Sequence, residues 1–114
     1  MKQIIGVVRR ESVGEVLREL SHNGFGCLSV FDMKGLWNVH DPEHEHLSFE
    51  YETYYSTMSR VEVLCKDDDA QKAFEIIKRE GRTQHQGDGY VFISTVERLA
   101  NIADGQEGEC VLQS

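Results

Sequence analysis

The chain has 114 residues, of which 39% are hydrophobic and 28% charged, a composition typical of a single soluble domain with a modest core. Its formal net charge of −8 disfavours extended contact with a nucleic-acid backbone or an anionic membrane surface. It has no apolar run that could insert in a bilayer and no signal-peptide pattern, and its three widely spaced cysteines suit a reducing compartment, so we expect a cytoplasmic protein.

The first 35 residues predict a strand, a helix and a second strand. Residues 2–9 form a short β-branched run that predicts a strand, and residues 26–35 predict a second strand with less regular alternation. Between them, apolar residues recur at the i, i+3, i+4 and i+7 spacing of one helical face. We expect Ser12 and Glu15 to form a capping box at the start of this helix, and Gly24 to end it.

The same order of elements is predicted for the second half. Residues 60–65 alternate between apolar and other side chains as a strand does, and residues 90–94 predict the last strand. Asp67 and Asp68 suit the N-terminus of a helix, both as side-chain caps and by their charge. Apolar residues then recur at helical spacing until Gly81, which closes the helix.

Residues 36–59 show no helical stripe, and acidic, histidine and tyrosine side chains are crowded there. A structureless segment of this length in a small domain is usually functional or disordered. We expect it to protrude from a single domain that spans residues 1–114 and ends in a polar tail at 104–114.

Two β-α-β units with right-handed crossovers interleave into a four-stranded antiparallel sheet with both helices on one face. The predicted fold class is therefore α+β, a ferredoxin-like βαββαβ sandwich. This fold alone does not identify a function.

The stretch TQHQGDGYVF, from Thr83 to Phe92, resembles the C-terminal signature T-x-x-x-G-D-G-x-[IV]-F of the PII signal-transduction proteins. The opening MKQIIGVVRRESVGEVLREL is similar to the opening of that family, and so are the Met-Lys-Gly run at 33–35 and the Asp-Gly pair at 104–105. Residues 1–109 align with the family pattern without a gap.

The resemblance implies a homotrimer with an adenine-nucleotide site in each cleft between neighbouring subunits. Residues 36–59 would correspond to the family's T-loop, which docks onto a protein target: a transporter, an enzyme or a transcription regulator. It also implies a regulator, as in nitrogen utilisation, that is not itself an enzyme.

The resemblance further implies a set of nucleotide-binding residues. These candidates are Val7, Ser29, Gly35, Leu36, Trp37, Glu62, Leu64, Gly87, Asp88, Gly89 and Tyr90. Gly87 and Gly89 would let main-chain amides approach an anion closely. The alternative, that Gly-Asp-Gly is only the turn that starts the last strand, stays open.

Several charged residues of the family site are replaced in this chain. Where the family binds phosphates with one lysine and two arginines, the chain has Tyr90, Asn101 and Ala103. Further replaced positions, which in the family help with phosphates, Mg²⁺ or 2-oxoglutarate, are Asn38, Val39 and Met58. Losing three charge-assisted hydrogen bonds removes roughly 4–9 kcal/mol if the contributions add.

We therefore expect no tightly bound cofactor and an effector with few charges: ADP, AMP or cyclic AMP, or weakly bound ATP. Three basic residues are candidates to compensate in part for the missing cations. They are Lys34, Arg60 and Arg82.

The long segment carries two further hypotheses. His40, His44 and His46 alternate with carboxylates, a ligand set that suits zinc, copper or nickel in a metal-responsive trimer, although a solvated acidic loop explains the same pattern. Tyr51 lies where many relatives carry a uridylylated tyrosine, and the neighbouring aromatic residues equally suit a contact surface or packing against the sheet. The spacing of the histidines specifies no closed metal site, which favours the solvated loop. The sequence does not separate the two roles of the aromatic residues.

An enzyme on the same fold, such as an acylphosphatase-like protein, would need a phosphate loop with a positioned arginine. Arg9 and Arg10 are the available residues near the first strand, but the pattern around them does not fit. The chain also has no nucleophile elbow and no pair of carboxylates with an evident division of roles. We therefore expect no catalytic activity.

Overall fold

The computed structural model describes residues 1–35, 45–48, 53–84 and 87–112, and at 45–48 and 53–56 the backbone alone. The strands and helices in chain order are β1 (Lys2–Arg9), α1 (Val13–His22), β2 (Leu28–Gly35), β3 (Glu45–Ser48), β4 (Thr53–Cys65), α2 (Ala70–Glu80) and β5 (Tyr90–Thr95). Short 3-10 turns precede α1 and α2, and another spans Glu109–Leu112.

The strands form one antiparallel sheet, in which four of them lie in the order β2-β4-β1-β5. The fifth strand, β3, is outside this order and pairs with β4. The two inner strands, β1 and β4, pair along the whole of β1, from Lys2 opposite Cys65 to Arg9 opposite Met58. The edge strand β5 pairs with β1 from Lys2 opposite Thr95 to Val7 opposite Tyr90. This order, with two helices, fits the predicted ferredoxin-like α+β fold.

Both helices cover the same face of the sheet. Ile4 and Val8 of β1 and Val61 and Val63 of β4 are at most 3% exposed, and they belong to one apolar cluster with residues of α1 and α2. The helical members of that cluster include Val16, Leu20, Ala73, Ile76 and Ile77. Alternation along the strands places Ile5 and Val7 on the opposite face, which we call the open face because neither helix covers it.

The expectation of a long structureless segment at 36–59 is wrong for its second half. The pairing partners Glu45–Ser48 and Thr53–Ser56 form a hairpin, and β4 continues without interruption from Thr53 to Cys65. Met58 and Ser59 are buried, at 0% and 1% exposure. The prediction failed because YYSTMS lacks the apolar alternation by which residues 60–65 were identified.

The predicted capping of both helices is also wrong. In the described part of the chain, the N-cap residues Ser12 and Asp69 make no side-chain capping hydrogen bond, and each helix is entered from a 3-10 turn. Glu15 pairs with Arg18, and the Asp67 carboxylate accepts a hydrogen bond from the N-terminal amine of Met1 at 2.7 Å.

Smaller differences concern the ends of elements. The second strand begins at Leu28, two residues later than predicted. Gly24 has the positive φ, 88°, that its place just after α1 requires. Within the described residues, no helix is long and apolar enough to cross a lipid bilayer.

Candidate functional site

The loop between α2 and β5 begins at Gly81, which is buried against β1. A Cβ at this position would lie 2.7 Å from Val8 Cγ1 and 2.8 Å from the Ile77 carbonyl oxygen. Its φ of −79° is open to any residue, so the need for glycine here is one of space. The close approach brings the loop back over the end of β1.

Asp88 is held by three groups from two parts of the chain. The Arg9 side chain, at the end of β1, donates from Nε to Asp88 Oδ1 at 2.9 Å. Thr83 donates its backbone N–H to Asp88 Oδ2 at 2.8 Å, and its hydroxyl also bonds to Oδ1. Arg9 is 1% exposed and Asp88 23%, so this ion pair is largely withdrawn from water.

These contacts change the acidity of the carboxyl group. Partial burial acts to raise the pKa of Asp88, but the hydrogen bonds from Thr83 and the bond and charge of Arg9 outweigh it. The net pKa therefore lies below the ordinary value of 3.8. Asp88 is thus ionised at neutral pH, and its negative charge balances the positive charge of Arg9.

The two glycines that flank Asp88 adopt conformations that favour glycine. Gly87 has a φ of 81° and Gly89 a φ of 97°. A Cβ on Gly89 would lie 1.9 Å from the carbonyl oxygen of Val7 and 3.2 Å from Cε of the buried Met58. The loop therefore rests directly on the backbone of β1 and leaves no room for a side chain at position 89.

A cavity of about 170 Å³ lies beside this loop, between α2, β1 and the start of β5. Its lining includes the apolar residues Val8, Ile77 and Val91, together with Gly89 and Tyr90. The basic residues at its rim are Lys78 and Arg82. The charge of Asp88 is balanced by Arg9, and Lys78 Nζ lies 3.9 Å from Glu75 Oε2, so the positive charge at the rim comes mainly from Arg82.

Two of the predicted nucleotide-binding residues, Ser29 and Glu62, lie together on the open face. Ser29 pairs with Glu62 across β2 and β4, and Glu62 lies opposite Ile5 of β1. Glu62 already accepts hydrogen bonds from Gln3 Nε2 at 3.2 Å and from Arg60 Nε at 2.7 Å. Its carboxylate is therefore oriented before any ligand arrives, and Arg60 is engaged locally.

The other open-face candidates lie on either side of this group. Leu64 pairs with Gln3, and Val7 pairs with Tyr90. The strands therefore bring Val7 next to the end of the loop at Gly87–Gly89, which we call the glycine loop. Val7 is 2% exposed. Tyr90 is 54% exposed, and its ring stacks on that of Phe92 with centroids 6.2 Å apart.

The remaining predicted site residues are placed less completely. Gly35 is buried at the end of β2, paired with Ser56. His46 pairs with Tyr55 within the β3–β4 hairpin, with its backbone alone described. Leu36, Trp37, His40, His44 and Tyr51 lie outside the described residues. Among the described residues, no group of three or more His, Cys, Asp or Glu side chains could hold a metal ion.

The replaced phosphate-binding positions have other structural roles. Met58 is fully buried beside Gly89, where a lysine ammonium would have to be desolvated. Asn101 holds a tight turn, because its side-chain Oδ1 accepts from the Ala103 N–H at 2.9 Å and its carbonyl from the Gly105 N–H at 2.8 Å.

Two residues of the site were missed by the sequence analysis. Lys78 belongs to α2, and only the packing of that helix brings it to the cavity rim. Arg9 was considered only as a phosphate ligand of an enzyme, whereas the structure uses it beneath the glycine loop. A charged residue directly after the apolar run of residues 4–8 was the available signal.

Comparison with known proteins gives consistent results. The profile of the family described as "Nitrogen regulatory protein P-II" matches residues 1–106. "Nitrogen regulatory protein P-II" of Cereibacter sphaeroides is 31% identical over 109 residues, covering 96% of this chain and 97% of that protein. The Rhodobacter capsulatus protein of the same name is 28% identical with the same coverage, and "Nitrogen regulatory protein P-II 2" of Methanothermobacter thermautotrophicus is 26% identical over 96% of this chain and 95% of its own length. The chain therefore belongs to the PII family.

Proposed function

We propose that this chain is a PII-type signalling regulator that binds an adenine nucleotide of low charge between subunits and controls a partner protein through residues 36–59. Family membership over residues 1–106 supports the regulatory role and the absence of catalysis. The nucleotide proposal rests on one observation: the glycine loop is held by Arg9 and Thr83 beside a cavity with basic residues at its rim. The three free cysteines fit a cytoplasmic setting.

The loop supports anion binding through its backbone. Positive φ angles at Gly87 and Gly89 turn main-chain amides in directions that ordinary residues rarely allow. Successive amides of this kind form concave sites for anions such as phosphate. Arg82 adds positive charge at the rim, and Lys78 adds a charge that Glu75 partly balances at 3.9 Å. Neither residue replaces the lysine that the family carries at position 90.

The number of charges that this site can neutralise favours a small anion. A hydrogen bond to a charged group contributes about 1.5–3 kcal/mol, and each 1.4 kcal/mol changes affinity about tenfold. Tyr90, Asn101 and Ala103 supply no cation for a triphosphate. AMP, ADP or cyclic AMP should therefore bind at least as well as ATP.

The open face supports assembly into a homotrimer. Phe31, Tyr90 and Phe92 are 53%, 54% and 41% exposed, and the alternation of the strands places all three on this face. Aromatic side chains contribute strongly when an interface covers them.

The volume of the cavity beside the glycine loop also favours assembly into a homotrimer, because about 170 Å³ is less than the roughly 300–1,000 Å³ of a typical ligand site. The remaining walls would come from a neighbouring subunit.

The partner would be a transporter, an enzyme or a transcription regulator that contacts residues 36–59. One end of strand β4 pairs with β3. Met58, further along the same strand, lies beside Gly89. A ligand at the glycine loop would therefore contact the element that supports the docking segment.

The experiment measures mass and ligand binding on the same preparation. Native mass spectrometry should give a trimer, and calorimetry with AMP, ADP, cyclic AMP and ATP should give measurable binding, with no marked preference for ATP. Monomeric protein, or binding of ATP at nanomolar concentration, would contradict the proposal. Zinc, copper and nickel salts in the same series test the hypothesis of a metal site at His40, His44 and His46.

A matched pair of variants tests the glycine loop. Gly89→Ala should abolish nucleotide binding, because its Cβ would overlap the Val7 carbonyl oxygen. Gly24→Ala is the control: it introduces a side chain at a similar φ of 88° where, apart from its chain neighbours, no atom of the described residues lies within 4 Å. It should cost a comparable conformational strain while leaving affinity unchanged. Equal affinities in the two variants would place the nucleotide elsewhere.

A further inference from the structure

The buried end of β1 contains a charged side chain that the proposed nucleotide site does not use directly. Arg9 is 1% exposed and lies opposite Met58 in the sheet. Its Nε bonds to the carboxylate of Asp88, 79 residues away in the chain, at 2.9 Å. Arg9 thus connects a central strand of the sheet to the middle residue of the glycine loop.

The position of Asp88 decides what this connection does. Its neighbours Gly87 and Gly89 have the largest backbone freedom of any residue type, so a loop made from them is not rigid by itself. Fixing the carboxylate from two sides, by Arg9 and by Thr83, restricts the residue between the two glycines. The amides on either side are then held in one orientation before a ligand binds.

We propose that Arg9 is a positioning residue of the anion site: it fixes the backbone amides at Gly87–Gly89 through Asp88 and does not touch the ligand. This inference rests on the proposed function, since it concerns the same loop. The pair adds no net charge, because the carboxylate balances the guanidinium. Arg9 acts by reducing the ordering cost of binding, as pre-organised sites do.

The first test measures AMP affinity by calorimetry in Arg9→Met, Arg9→Lys and the wild-type chain. Arg9→Met should weaken AMP binding by about tenfold or more, because the loop must then be ordered when the ligand binds. Arg9→Lys should recover part of the affinity, since an ammonium group can reach a carboxylate but lacks the planar donor geometry of a guanidinium. Thr83→Val is a milder variant that removes one donor to Asp88 and keeps the ion pair.

Leu20→Ala separates positioning from general stability. Leu20 is fully buried in α1, within the core cluster, so its truncation destabilises the fold without changing the loop. If Arg9 were only structural, Leu20→Ala and Arg9→Met would weaken AMP binding equally at matched loss of stability. An unchanged AMP affinity in Arg9→Met would also overturn the proposal.

The second test needs no ligand and distinguishes failure of this inference from failure of the proposed function. Backbone ¹⁵N relaxation should give order parameters of about 0.85 for Gly87 and Gly89 in the wild-type chain, and values below about 0.6 in Arg9→Met. Unchanged order parameters would show that Arg9 does not position the loop, whatever the ligand. Lost order in a chain that binds no nucleotide would uphold the role of Arg9 in the loop and reject the nucleotide.

Discussion

The two faces of the sheet are built from the same strands and are completed in different ways. On the face covered by helices, Ile4, Val61 and Val63 are fully buried within one apolar cluster. The open face buries Ile5 and Val7 among neighbouring side chains, yet leaves Phe31 and Phe92 53% and 41% exposed. The first face is completed within one chain, whereas the second has apolar surface that the described residues of one chain do not cover.

The glycine loop and the helix-covered cluster also differ in charge. Asp88 and Arg9 form their largely buried ion pair where β1 meets the glycine loop, and the helix-covered cluster is made of apolar residues. Packing accounts for the stability of that cluster, while the loop depends on a balanced pair of charges. Substitutions should therefore have different consequences in the two regions.

The largest effect should come from removing one charge of the pair. Asp88→Asn removes the carboxylate that pairs with the 1% exposed guanidinium of Arg9, and breaking a buried pair costs about 3–5 kcal/mol. Urea unfolding measures this loss, and Asp68→Asn at an exposed aspartate is the control. The double variant Arg9→Met with Asp88→Asn should recover part of the stability, since the buried guanidinium is removed together with the carboxylate that it pairs with. Additive losses in the double variant would show that the two side chains are not coupled.

On the helix-covered face, Ile4→Ala should lower the free energy of unfolding by about 2–5 kcal/mol, because it leaves a cavity in a fully buried cluster. The loss should be independent of protein concentration, because one chain completes this cluster. Chemical unfolding at several concentrations measures it. A cost that rises with concentration would mean that this face, too, is completed by assembly.

Phe31→Ser sharpens the comparison on the open face. Because Phe31 is 53% exposed, its replacement should cost a single chain about 1 kcal/mol or less. The effect on self-association should be larger, with a shift from trimer to monomer in sedimentation velocity. A variant that remains fully trimeric would exclude this part of the open face from the interface.

A smaller effect is expected from pH. The folded pKa of Asp88 is lowered below 3.8, so its contribution to stability is complete above that value and is lost as the pH falls through the folded pKa. The difference in unfolding free energy between the wild-type chain and Asp88→Asn should therefore shrink on acidification below about pH 4. Asp67 also has a lowered pKa, through its hydrogen bond to the N-terminus and the charge of that group. Comparing the two chains cancels its contribution, and a constant difference down to pH 2 would contradict the assignment to Asp88.

The sequence correctly predicted those helices and strands whose apolar residues recur at a regular spacing. The apolar stripe of α1 and the β-branched run of β1 correctly indicated a helix and a strand, and Gly24 correctly marked the end of α1. The same reasoning failed at Thr53–Ser59, where polar and aromatic residues continue β4 because β1, β2 and β3 supply hydrogen-bonding partners. Tertiary pairing, which a local pattern does not contain, decides strand formation there.

The site was predictable in part for the same reason. The Gly-Asp-Gly sequence indicated the loop correctly, since unusual φ angles need glycine. The partner of its aspartate lies 79 residues away, and neither Arg9 nor Lys78 has a spacing that relates it to the loop. Side chains that converge only through the fold leave no periodic signal in the sequence.

The smallest effect should come from Ile102, which is fully exposed on the turn near the C-terminus. Because its side chain is already in water, Ile102→Ser should change the unfolding free energy of a single chain by less than about 0.5 kcal/mol. The variant therefore defines the lower end of the scale on which Ile4 and Phe31 are compared. A larger loss that appears only at high protein concentration would show that assembly covers this turn as well, so that the surface completed by a second copy extends beyond the open face.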